Sequence, residues 1–318
     1  MSEVLGTLAE PDLAPRIGQR IRTESILVPF EPGEPRHKLL DQDLRGALLF
    51  IESITPDGAH VHGSAFLVAP GIALTAWHTI RDWQEAGHFG MPNHAIFAVG
   101  AMGDEPRLWE VRTCCGPMAG GDVAVLTLAP RFPLGDEITI VHFDLAAALP
   151  PLGANLTALG SRLDPPDEVL PLGAGGEELP TVSLVTIASS GPVVDRYLTG
   201  IPRIQAPCLA AEVMTDGGMS GGPVFDEHGY VIGVISESIR GKTADDYISF
   251  VSLIWPSAVF TFEGVWPRGM FPAGSTLRER WVREGWRITV TATNELAFLD
   301  GGHPDFIGPP NPPPAIGG

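Results

Sequence analysis

The chain has 318 residues, 44% of them hydrophobic, which is enough apolar material for one large domain or two small ones. Its 38 acidic and 20 basic residues leave a net charge of −18 at pH 7, so the average surface repels phosphate backbones and anionic membranes. No Lys/Arg cluster compensates, and no run approaches the roughly 18 to 20 apolar residues of a membrane span, so neither nucleic acid nor a membrane is an expected partner.

The opening "MSEVLGTLAEPDLAP" has neither the basic leader nor the apolar core of a signal peptide, and a cytoplasmic location is the expectation. Adjacent Cys114 and Cys115 and a solitary Cys208 make no disulfide framework of secreted type, leaving packing and the hydrogen-bonded backbone to supply stability.

Residues 1–45 are acidic and Pro-bearing and read as an amino-terminal arm, either packed on the core or loosely held, with one amphipathic piece at 37–50. From about residue 46 the texture changes to short apolar runs cut by Gly, Pro and Asp. Among them are "ALLFIES", "GSAFLVAP", "IALTAWH", "HAIFAVG", "DVAVLTL", "TVSLVTIA", "YVIGVISES" and "YISFVSLI". Runs this short, rich in Val, Ile, Leu, Phe and Thr and bounded by turn formers, predict strands. With no regular helical partner between them, the fold class is mostly β, with antiparallel sheets closed into barrels or packed as sandwiches. Residues 163–180 read as a long turn-rich loop. Beyond residue 262 the pattern predicts a carboxy-terminal extension (263–298) with a helix at 274–286 capped by Ser275 and a strand at 287–293. A Pro/Gly-rich tail follows (299–318), extended or disordered and free to recruit a partner protein.

The densest chemistry lies in "TDGGMSGGPVFDEHGYVIGV" (215–234), where Gly217, Gly218, Gly221 and Gly222 surround Ser220. Glycine permits tight turns and close approach of a substrate to the backbone. The amides of Gly218 and Ser220, if they converge, would donate to an oxygen that becomes negative as a hydroxyl attacks a carbonyl. A serine needs a base, and His78, where a strand after a Pro-Gly turn ends, is the best placed of nine histidines. That base needs an orienting carboxylate, which Asp122 offers at the mouth of an apolar strand. Each residue alone is ordinarily structural: a turn serine, a core histidine, a turn cap. Their joint occurrence in the order His, Asp, Ser, each at an element boundary, points to nucleophilic catalysis.

The segments "LTAWH", "GGDVAVL" and "GGMSGGPVFDEHGYVIGVIS" resemble the three catalytic blocks of the trypsin/chymotrypsin-like serine peptidases, most closely the disulfide-free bacterial kind related to the HtrA proteases. The resemblance implies two antiparallel six-stranded β-barrels with short flanking helices, spanning 46–262 in halves of 46–145 and 146–262. It implies a serine endopeptidase with His78, Asp122 and Ser220 as the catalytic residues, Gly218 and Ser220 as the oxyanion hole, and no cofactor or metal. Ser236 matches the serine that leans on the buried aspartate, and the backbone of Ser236, Glu237 and Ser238 would pair with an extended peptide substrate. Met214 matches the base of the side-chain pocket and predicts an apolar or small preference, while Asp216 and Glu237 nearby would draw a basic residue.

Two departures stand out. Met219 replaces the aspartate that captures a new amino terminus in zymogen-activated members, which predicts activity without propeptide cleavage; Trp77 replaces a small residue before the histidine and asks for extra room. His60 and His62, spaced i, i+2 on one strand face, lack a third metal ligand nearby in sequence. Two rivals remain open: a catalytically silent barrel scaffold that binds extended peptides, and a serine esterase of α/β-hydrolase type, for which "GMSGG" would be the nucleophile elbow.

Overall fold

Period-two alternation with frequent turn formers favours strands that bury one face, and closing such a sheet removes its exposed edges. The computed structural model describes residues 20–26, 36–38, 44–102, 105–117, 120–132, 134, 137–164, 183–240, 247–267, 271–277, 295–298 and 304–307. The chain enters as β1 (Arg20–Ile26) and β2 (Arg36–Lys38). The first barrel comprises β3 (Leu48–Thr55), β4 (Gly58–Ala69), β5 (Ile72–Thr75), β6 (Ala95–Met102), β7 (Glu105–Cys115) and β8 (Ala124–Pro130), closed in the order β3-β4-β5-β8-β7-β6. One helix, α1 (His78–Glu85), leaves the end of β5. β9 (Glu137–Phe143) follows β8.

The second barrel is built from β10 (Asn155–Asp164), β11 (Ser183–Tyr197), β12 (Cys208–Ala211), β13 (Pro223–Phe225), β14 (Val231–Arg240) and β15 (Tyr247–Leu253). Its order is β10-β13-β14-β15-β12-β11, closed by the antiparallel β10–β11 pairing. The two six-stranded antiparallel barrels are those expected from the resemblance. This architecture removes the α/β-hydrolase alternative, because the serine loop runs into strand β13 rather than a helix and both sheets are antiparallel.

Each barrel has its own core. Leu49, Ile51, Leu67, Trp109 and Leu126 fill the first, and Leu156, Val224, Ile232, Val251 and Leu253 the second. A third buried cluster joins them: Phe66, Leu74 and Val125 of the first barrel meet Phe143 of β9 and Leu159, Phe225 and Val234 of the second. Phe143 lies 6.2 Å from the Phe66 ring and 5.2 Å, edge to face, from Phe225. Burying a side chain of this size is worth about 1.5 to 3 kcal/mol, so this cluster holds the barrels in one relative placement.

The described part of the arm is docked. β1 runs parallel to β9, from Arg20↔Glu137 to Ile26↔Phe143, and β2 adds an antiparallel strand to β11. Arg22 pairs with Glu137 at 2.7 Å, and both terminal nitrogens of Arg45 reach Glu24 at 2.7 Å. The amphipathic piece at 37–50 is divided between β2 and β3, with 39–43 outside the described residues. Ser275 is not a helix cap: it lies in β17 (Ser275–Thr276), paired with β16 (Thr261–Phe262), and its hydroxyl donates to Pro272 O at 2.6 Å. Of the helix expected at 274–286 only 274–277 are described, and of the loop expected at 163–180 only 163 and 164, which end β10; the rest of both and the strand expected at 287–293 lie outside the described residues. Within the tail, β19 (Pro304–Ile307) pairs with β18 (Glu295–Phe298), so that part is a strand. No helix among the described residues is long and apolar enough to cross a membrane.

Candidate active site

His78 opens α1 and Asp122 stands just before β8. The aspartate is 8% exposed, and burial obliges it to find donors. Its Oδ1 accepts the His78 backbone N–H at 2.9 Å, and its two oxygens lie 3.1 and 2.9 Å from His78 Nδ1. Its main-chain carbonyl also accepts the Trp77 N–H at 3.2 Å. One residue therefore sets both the start of α1 and the orientation of the ring. Since a carboxylate only accepts, Nδ1–H is the donor in this contact, and Nε2 is the nitrogen left facing away from Asp122. The extra room that Trp77 requires comes from Gly116, where a β-carbon would collide with the indole.

The serine loop is a knot of short-range bonds. Met219 N–H donates to Asp216 O at 3.1 Å and Gly222 N–H to Met219 O at 2.9 Å, while Gly221 N–H reaches Ile235 O on β14 at 2.8 Å. Gly218 (φ +94°) and Gly221 (φ +83°) occupy the left-handed region that this path demands. Met219 is fully buried against Gly160 in the second core. The Gly218 and Ser220 amides, in contrast, donate to no partner among the described residues. Two adjacent-but-one N–H groups beside a half-buried serine are thus available to an oxygen of a ligand.

Ser64 joins this loop to the first barrel, and the sequence reading did not single it out. Its N–H donates to Ser220 O at 2.7 Å and its hydroxyl to Gly218 O at 2.7 Å, while Ser161 N–H donates to that hydroxyl at 2.9 Å. Thr75 in turn donates to Ser64 O at 2.7 Å and lies 3.0 Å from the Thr79 hydroxyl. A β-carbon on Gly63 would stand 2.6 Å from Ser220 O and 2.9 Å from Thr79 Cγ2, so the serine loop and the start of α1 face each other across one glycine. The available signal was a hydroxyl at one end of each of two apolar runs, Ser64 before "AFLVA" and Thr75 after "IAL". Among the described residues no hydrogen bond joins the Ser220 hydroxyl to the imidazole; such bonds commonly tighten only once substrate is bound.

A cavity of about 430 Å³ lies beside the imidazole, lined by His78, Asp122, Arg81, Arg203, Ser236 and Glu237, among others. Ser236 lines this cavity together with Asp122, but among the described residues no hydrogen bond joins the two. A bulge in β14 between Ile235 and Glu237 sets it against β15, where its hydroxyl meets that of Ser252 at 2.7 Å. Glu237 is ion-paired with Arg203, so the charge expected to draw a basic residue is already met. The Ser238 hydroxyl bonds to Thr215 and lies 3.3 Å from Ser249. Met214 and Asp216 are half-buried on the approach to the serine loop. Because β13 pairs with β14 only as far as Val234, and Ile235 with the serine loop, the main chain from Ser236 onward has no strand opposite β15 among the described residues.

Other reactive groups are accounted for differently. A bulge at His62 breaks the alternation expected with His60: His60 is exposed, whereas His62 is half-buried with Nε2 2.7 Å from Ser53 Oγ, and burial lowers its pKa. Among the described residues no three His, Cys, Asp or Glu side chains are placed to hold a metal ion. Burial pushes the Cys114 thiol up to about 12 and the Cys208 thiol up to about 11, far from a reactive thiolate.

A family model described as a trypsin-like peptidase domain matches residues 63–234, which include His78, Asp122 and Ser220. No curated protein sequence matches the chain. Among solved structures, the Rv3671c protease in an inactive form is similar at 19% identity and a TM-score of 0.39, over 65% of this chain and 83% of that one. A serine-to-alanine mutant of Rv3671c from M. tuberculosis H37Rv, also in an inactive form, is similar at 20% identity and a TM-score of 0.37, over 65% and 80%. With the match spanning more than half of its length, this chain belongs to the trypsin-like peptidase domain family.

Proposed function

We propose that the protein is a serine endopeptidase that cleaves peptide bonds of extended protein segments through an acyl-enzyme. The observation that carries this reading is the double grip of Asp122 on the backbone and ring of His78, beside a serine loop with two undonated amides. In the proposed mechanism, Nε2 of neutral His78 takes the Ser220 proton as Oγ attacks the carbonyl carbon. Asp122 stabilises the resulting imidazolium, and the oxyanion rests on the Gly218 and Ser220 amides. His78 then protonates the leaving amine, and water repeats the steps on the ester. No step calls for a metal or an organic cofactor. The open main chain of β14 from Ser236 supports binding of substrate as an added strand.

Fluorophosphonate labelling tests the reading. Wild-type protein is expected to label at Ser220, and Ser220→Ala to lose both labelling and about 10⁶-fold in turnover. Asp122→Asn is expected to lose about 10⁴-fold, by fixing the wrong tautomer. A folded protein that neither labels nor cleaves casein or a peptide library would instead support the peptide-binding scaffold, a reading favoured by the unmade bond between Ser220 and His78.

A further inference from the structure

The cavity beside His78 is lined by Ser236 and Glu237 on the open edge of β14, but by no residue of the serine loop at 215–222. That division assigns it to a neighbour of the scissile residue, an inference that rests on the proposed peptidase function. A peptide paired antiparallel with β14, as β13 and β15 are, passes Ser238 and then Ser236 before it reaches Ser220. Its residues along β14 therefore precede the scissile bond. Successive side chains of a strand point to opposite faces, so the residue just before the scissile one turns away from the serine loop and toward His78.

The polar groups of the lining divide into engaged and open ones. Glu237 is paired with Arg203, and the oxygens of Asp122 are taken by the backbone and ring of His78. Arg81 follows His78 by three residues on α1 and so shares its helix face. Its one side-chain contact among the described residues runs from Nε to Oδ1 of the adjacent Asp82 at 3.2 Å. Asp82 does not line the cavity, and its side chain is 85% exposed, where water screens such a pair. Nη1 and Nη2 of Arg81 donate to nothing among the described residues, and the side chain is 47% exposed. Trp77 lines the same cavity. The six-membered edge of its indole is seated on Gly116, while the N–H, on the opposite edge, has no acceptor among the described residues and keeps accessible surface.

We propose that Arg81 and Trp77 make the protein select an aspartate or glutamate immediately before the scissile residue. The carboxylate accepts from Nη1 and Nη2 of Arg81, in the bidentate manner that suits a guanidinium, and from the Trp77 N–H. A carboxamide in its place offers one acceptor oxygen and forfeits the charge-assisted bonds.

Cleavage of a peptide library by the full-length protein, with the products identified by mass spectrometry and fluorophosphonate labelling of Ser220 run in parallel, provides the test. Asp and Glu are expected to be enriched at the residue before the scissile one. A cleaved peptide with Glu there should have a kcat/KM about fivefold or more above that of its Gln counterpart. Arg81→Gln should remove most of that ratio and Trp77→Phe, which keeps a ring and loses the N–H, should narrow it, with folding of each variant checked by circular dichroism. Asp82→Asn, which removes the neighbour of Arg81 from outside the cavity, should leave the ratio at least as large. Labelling at Ser220 together with cleavage that shows no acidic enrichment, or a Glu-to-Gln ratio unchanged by Arg81→Gln or by Trp77→Phe, would overturn this inference and leave the peptidase reading standing. Absence of both labelling and cleavage would overturn the two together.

Discussion

Ser64 shows how much one small side chain can hold in place. Fully buried, it bonds to Gly218 and Ser161 through its hydroxyl and to Ser220 through its amide, so both barrels and the serine loop meet at one residue. Ser64→Ala keeps the amide contact but removes the partner of a half-buried carbonyl and of a buried N–H, the latter at about 1 to 3 kcal/mol. Urea denaturation should register that loss, and kcat should fall more than KM rises, because the mutation loosens the Gly218 carbonyl next to the proposed oxyanion donors. Arg203 offers a prediction of a different kind. Arg203→Gln releases Glu237 at the cavity beside His78, so a cleavage profile of a peptide library should gain a preference for Lys or Arg in the subsite next to the pocket, with the preference weakening at high salt. An unchanged profile would mean that Glu237 does not face the substrate.

At the scale of elements, β1 is the unusual addition, because it pairs in parallel where the ladders of both barrels are antiparallel. Seven residue pairs tie it parallel to β9, and β9 carries Phe143 into the cluster between the barrels. Thr23→Pro, in the middle of β1, removes an amide and restricts φ, which should lower stability by about 1 to 3 kcal/mol in thermal or urea unfolding. Labelling of Ser220 should persist below the melting temperature, since no residue of β1 lines the cavity beside His78. The strands themselves were legible from alternation and turn formers, and so was the end of β5 at the base, where "IALTAWH" runs from a Pro-Gly turn into a polar residue. Bulges were not legible. Those at His62 and Ser236 each shift a strand by one residue, which changes a side chain's face without altering the residue pattern.

For the molecule as a whole, the proposed chemistry needs two barrels in a fixed relation, because His78 and Asp122 come from one and Ser220 from the loop of the other. Phe143 packs between Phe66 and Phe225 and links the two at their shared core. Phe143→Ala should cost about 3 to 5 kcal/mol by urea denaturation, the range for emptying a large aromatic site. Labelling of Ser220 should slow even where the variant remains folded, since relaxation of the cluster shifts one barrel against the other.

Amino-acid order alone determined the mostly β class and singled out His78, Asp122 and Ser220 as the candidates, because side-chain alternation, turn chemistry and a glycine-flanked hydroxyl are all properties of neighbours along the chain. Only the tertiary structure decided the Ser64 bonds across 154 and 97 residues, the Arg203–Glu237 pair across 34, and the partner of Ser236. Contacts between residues so far apart arise from barrel closure and bulge geometry, and no local preference encodes which distant side chain will stand opposite.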